Sequence, residues 1–208
     1  TLPTRDDNAS AAPITGANVL LNDCEAQTVI GLKTLFRRMF ERADDLLFEM
    51  ADKGESAESQ EIYVEGMRTV RIKRAQMERA FAEELRKAFK GYSGRSGPSV
   101  SNARAGGMED GSLSLIEEDE LEESLALSAM GERAADQYND VLKTLSQRFA
   151  RLNPAKANAE LKEMPFSPYV IVDALTAASS LLSVAIRVKV IVYKLFDKLV
   201  INQLGDLY

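Results

Sequence analysis

The chain has 208 residues, 45% of them apolar, with 26 basic and 32 acidic side chains, no histidine and a single cysteine, for a formal charge of −6. A folded part of ~160 residues buries roughly 70% of its unfolded surface, which is enough for one domain with a true core. The acidic balance argues against a general affinity for nucleic acid or anionic lipid. The lone Cys24 excludes an internal disulfide and fits a reducing, cytoplasmic setting.

In chain order, Thr1 to about Ala17 is rich in Asp, Asn, Ser, Ala and Pro and has no periodicity, so it reads as an irregular arm, and the first clear helical pattern sets in near Asp23. Val29, Leu32, Phe36, Met39, Phe40, Ala43, Leu47 and Met50 recur at intervals of three and four and predict a helix to about Lys53. Gly54 interrupts it. A second stripe, Tyr63, Met67, Val70, Met77, Phe81, Leu85 and Ala88, predicts a helix from Ser56 to about Lys90, and the short loop makes the two an antiparallel hairpin. Arg74 falls inside that second stripe. Either its stem packs on the core while the head reaches water, or it pairs with Asp44 or Asp45 of the first helix; a ligand-binding role is the third option.

Residues 91–111, GYSGRSGPSVSNARAGGMEDG, read as a flexible tether. The glycines around Arg95 follow no strand and precede no Gly-Lys-Ser/Thr, so a phosphate cradle is not indicated. Ser114 and Glu117 form a capping box, and the acidic turn that follows complements the positive end of a helix dipole. The expected stripe of that helix is Leu121, Leu125, Ser128, Ala135, Tyr138, Leu142, Leu145, Phe149 and Leu152, with Gly131 as a kink or split. Between Glu109 and Glu163 there are thirteen acidic and six basic residues, net −7. Carboxylates in such a run spread around the axis rather than converging on a metal.

Pro154 and Pro165 bound a connector, and Ser167-Pro168 reads as N-cap and first residue of a helix to about Ser180. After a break near Ser179–Ser183 comes a final helix. It is apolar on two sides: Ile186, Val190, Tyr193, Val200, Leu204 and Leu207 on one, Val188, Val192, Leu195 and Leu199 on the other. A helix of that kind is normally buried. The longest uncharged run of the whole apolar region, Ala174 to Ile186, has thirteen residues, short of the about 20 that span a bilayer. The strand-like alternation Ile186–Val192 is outweighed by the helical spacing that continues through Leu199.

Several blocks together resemble a known family: DLLFEMADKGESAESQEIYVEGMRTVRIKRAQMERAF (45–81), LSLIEEDELEESLALSAMGER (113–133), LSQRFARLN (145–153), and PFSPYVIVDAL followed by VIVYKLFDKLVINQLGDLY. They look like the N-terminal half of large proteobacterial proteins grouped as domain-of-unknown-function family 1631, some of which carry a misleading label of thymidine phosphorylase. The resemblance implies a piece of a longer cytoplasmic protein, in some members with a PilZ-type cyclic di-GMP module downstream. It supplies no catalytic residues, because its motifs mark helices.

The reading is therefore an all-α helical bundle built on a long antiparallel hairpin plus a buried hydrophobic C-terminal helix: an arm (1–22), the hairpin (23–91), a linker (92–112) and a helical region completing the bundle (113–208). The missing histidine removes Ser-His-Asp and Cys-His nucleophiles and the usual general base near neutral pH, and no carboxylate or lysine has a second group concentrated beside it, so no enzyme and no cofactor is expected. The expected role is a regulatory or scaffold domain that binds a protein partner, a second copy, or the remainder of its own longer chain, through Val188, Val192, Leu195 and Leu199. The alternative is a cyclic di-GMP effector using Arg68, Arg71 and Arg74 of the second helix. A membrane role is not expected. Nucleic acid is disfavoured too, since Glu61, Glu65 and Glu83 interleave with Arg68, Arg79 and Arg86 on one edge of that helix.

Overall fold

The computed structural model describes residues 15–94 and 118–208. Six α-helices make up these segments: α1 (Thr15–Asp52), α2 (Ala57–Tyr92), α3 (Glu118–Gln137), α4 (Asn139–Leu152), α5 (Pro168–Ser179) and α6 (Ile186–Leu199). Short 3-10 turns at Pro154–Lys156, Leu161–Glu163 and Ile201–Asp206 join or end them, and no strand occurs among the described residues. The protein is all-α, and no described helix is long and apolar enough to cross a membrane. Most of the arm, the tether and the capping box at Ser114–Glu117 lie outside the described residues. Helix α1 begins at Thr15, so residues 15–22 are helical where the sequence pattern reads as arm.

The hairpin forms as the two stripes require. Ser56 caps α2 by accepting the Ser59 N–H at 3.1 Å, and the Gln60 side chain donates to the Gly54 carbonyl at 3.0 Å, closing the loop. Leu32, Phe36, Met39, Ala43 and Leu47 of α1 face Val70, Met77, Phe81 and Leu85 of α2, all buried. Helix α6 lies against α1 and α2 and brings Phe196 between them. Phe36 stacks on Phe81 with ring centroids 4.4 Å apart, and Phe196 meets both edge-on at 5.9 and 6.0 Å. Ser167 and Pro168 open α5 as expected, the Ser167 hydroxyl accepting the Tyr169 N–H at 3.3 Å.

A smaller core forms where the N-terminal part of α1, the end of α2 and α4 converge, from Leu21, Phe89, Tyr92, Leu142, Phe149, Met164 and Phe166. The chain's last turn ties the two cores together. The Tyr208 hydroxyl donates to the Phe166 carbonyl at 2.9 Å, and the Tyr138 hydroxyl donates to the Ile201 carbonyl at 3.1 Å. The final helix is shorter than its pattern predicts: it ends at Leu199, and Ile201–Asp206 tightens into a 3-10 turn that still buries Ile201 and Leu204.

The expected stripe fails over the first part of α3 and holds from Ala135 on. Leu121, Leu125 and Ser128 face solvent, whereas Leu127, Met130, Gly131 and Ala134 are buried, and Ala135 is buried as expected. The helix breaks at Tyr138 (φ −105, ψ 15) rather than at Gly131. Small residues win the contact because α3 approaches α5 closely: a Cβ on Gly131 would stand 3.3 Å from Tyr169.

Gly66 shows the same constraint at α6, since a Cβ there would lie 2.5 Å from Val188 Cγ2 and 3.0 Å from Cγ1, within a side chain that is fully buried. In open helix, glycine to alanine stabilises by about 1 kcal/mol. Gly66→Ala is expected to destabilise instead, by about 1–3 kcal/mol in urea unfolding, whereas Gly91→Ala, in open space in the same helix, is not. Equal stabilisation by both would show that α2 and α6 do not approach this closely.

Candidate functional site

The arginines singled out in the sequence lie on one edge of the hairpin, beside a groove of about 390 Å³ lined by Phe40, Glu41, Asp44, Asp45, Val70, Arg71 and Arg74. Arg71 forks onto Asp44, its Nη2 donating to Oδ2 at 2.7 Å and its Nε to the other oxygen. Arg74 donates from Nε to Glu78 Oε1 at 3.0 Å, reaches Glu41 at 3.6 Å, and lies over the Phe40 ring at 5.7 Å. The pairing alternative for Arg74 is thus realised with Glu78 and Glu41, not with Asp44 or Asp45. In the antiparallel register, Asp44 falls opposite Arg71 and leaves Arg74 one turn further along. Three carboxylates and two guanidinium groups line the groove, so its local charge does not attract an anion. Arg68 is exposed on the outer edge of α2 and does not line it.

The residues assigned to a partner have a different fate. Val188 and Val192 are fully buried and Leu195 nearly so, all within the main core; Leu199 is half-buried against it. Their faces are occupied by the chain's own α1, α2 and α3, because α6 is seated between the hairpin and α3. What α6 shows to solvent is a different row: Arg187, Val190, Lys194 and Lys198.

A polar seam between α3 and α6 has no counterpart in the sequence reading. Lys189 Nζ donates to Glu123 Oε2 at 3.0 Å, and the Tyr193 hydroxyl donates to the other Glu123 oxygen while lying 3.0 Å from Ser179 Oγ. The Glu123 and Lys189 side chains are only 16% and 22% exposed. Further along, Arg133 pairs with Asp197. The sequence pattern put Tyr193 in an apolar face, although Lys189 stands one turn before it on the same helix. Nothing in the sequence placed Glu123 opposite them.

Burial, reinforced by the bond to Glu123, pushes the Tyr193 phenol well above its ordinary range, and burial does the same to Tyr208. A raised phenol pKa means that the fold favours the neutral form. That stability is complete below about pH 10, where unfolded tyrosine titrates, and is lost as pH rises beyond it. The melting temperature is therefore expected to fall above about pH 10, and less steeply in Tyr193→Phe than in the wild type. Identical pH profiles from thermal melts would mean that the fold does not hold this phenol neutral.

No curated protein and no solved structure matches the chain. A family model does, over residues 17–208, described as the N-terminal domain of a protein of unknown function, DUF1631. The match takes in the hairpin, the α3–α6 seam and the terminal turn alike, and this chain belongs to that family.

Proposed function

We propose that this chain is a non-enzymatic interaction domain, a regulatory or scaffold module of a cytoplasmic protein that binds protein, either another chain or a second copy. The observation that carries this reading is the outward face of α3. Leu121 and Leu125, one turn apart, are 50% and 61% exposed on the side away from the core. Two adjacent leucines held in water cost hydration free energy that a covering surface recovers, about 25 cal/mol per Å² removed from water.

The two arginines of the hairpin groove support the same reading, since they are already paired with the chain's own carboxylates: Arg71 with Asp44 and Arg74 with Glu41 across the hairpin, and Arg74 with Glu78 within α2. The second-messenger alternative asks those arginines for an anion, and Arg68 is the one of the three that forms no ion pair among the described residues. It draws no support from the groove.

The test uses the chain as bait in its own nuclease-treated lysate. Leu121→Glu/Leu125→Glu is expected to keep the wild-type melting temperature, because neither side chain is in the core, and to lose the stoichiometrically retained protein. Retention of the same protein in the same amount by the double variant would sink the assignment of this face.

A further inference from the structure

Two rows of side chains on adjacent helices match each other in charge and in order. On α3 the outward row is Leu121, Leu125, Ser128, Glu132 and Asp136, and on α6 it is Arg187, Val190, Lys194 and Lys198; all nine residues are exposed. Each row follows the three- and four-residue spacing of one helical face. Glu132, Asp136, Arg187, Lys194 and Lys198 form no ion pair among the described residues, although the neighbouring Arg133, Asp197, Glu123 and Lys189 all do.

The helices run side by side in the same direction, as the bridges Glu123–Lys189 and Arg133–Asp197 require. Both rows carry their paired charges toward the C-terminal end, after Leu121 and Leu125 on α3 and after Val190 on α6, and Arg187 opens the α6 row. At 1.5 Å of rise per residue, Glu132 lies about 10 Å beyond Leu125, and Lys198 about 12 Å beyond Val190. Laid against each other in parallel at the level the bridges set, the rows bring Leu125 onto Val190 and Leu121 level with Arg187, and set Glu132 and Asp136 opposite Lys194 and Lys198.

We propose that the occupant of this face is a second copy of the chain, related by a two-fold axis along α3 and α6, so that α3 of each copy packs on α6 of the other. The inference rests on the interaction reading above and names its partner. Charge complementarity argues for a second copy: the acidic row and the basic row are both on one molecule, adjacent and in the same order, so a single self-complementary contact uses each of them twice. A foreign partner with one charged face would meet repulsion from one of the two rows. Exposed ion pairs contribute little individually, and salt screens them, so the association weakens as ionic strength rises.

Sedimentation equilibrium of the whole chain over a concentration series, at low and high salt, tests this. The wild type is expected to reach twice the monomer mass at low salt and to shift toward monomer at high salt. Lys194→Glu/Lys198→Glu alone stays monomeric, as does Glu132→Lys/Asp136→Lys alone, because each sets like charges face to face. An equimolar mixture of the two restores the doubled mass, since both contacts of the mixed pair then have opposite charges. Unchanged circular dichroism and melting temperature establish that the variants are folded; should a reversal disturb the fold, Leu125→Glu gives the same readout from the apolar end. A wild type that is monomeric at every concentration overturns the proposal, as does a dimer indifferent to both reversals or a mixture that stays monomeric. If the wild-type monomer still retains a lysate protein that Leu121→Glu/Leu125→Glu loses, the second copy is wrong and the wider interaction reading stands.

Discussion

The meeting of Phe36, Phe81 and Phe196 is the constraint on which the rest of the molecule depends. The three rings come from α1, α2 and α6, each with no measurable exposure, stacked or edge-on within about 6 Å. A hairpin of two long helices has a stripe on each partner but no third surface to close the groove between them. Helix α6 supplies it, and removing one such ring from a packed core costs about 3–5 kcal/mol. Gly66 permits the close seat at Val188, and Gly31 does the same near the end of the chain, where a Cβ would overlap the tip of Leu207.

Once α6 is fixed there, its remaining sides decide what the other helices do. Tyr193 and Lys189 face α3, and they hold Glu123 in a position where a carboxylate with little access to water needs both a cation and a hydroxyl. Such a cluster adds less to stability than an apolar contact of the same size would. Its effect is to fix register, because a slip of one residue in α3 strands a charge at the seam. The docking of α3 in that register turns Leu121 and Leu125 outward and aligns their row with the cationic row of α6. The exposed face proposed for interaction is thus a consequence of the seam.

The hairpin was legible in the sequence because its signal is local and repeated. Residues three and four apart must share a face in any long helix, so Leu32 to Leu47 and Val70 to Leu85 declared their core side without reference to anything else. Helix α5 was legible for the same reason, through Ser167-Pro168. The candidate site was far less so. Val188, Val192, Leu195 and Leu199 are apolar whether they face a partner or their own core, and hydrophobicity does not say which. The first part of the α3 stripe was misread because Gly131 and Ala134 carry the contact through proximity instead of size.

By itself the sequence determined the all-α class, the long hairpin, the burial of the last helix and the family, since each rests on periodicity or on blocks of consecutive residues. Tertiary structure alone decided which carboxylate meets which cation across helices, Arg71 with Asp44, Arg74 with Glu41 and Arg133 with Asp197. It also decided which apolar side chains remain in water. Both depend on the register and separation of helices distant in the chain, and a one-dimensional pattern fixes the face a residue occupies on its own helix without fixing what stands opposite.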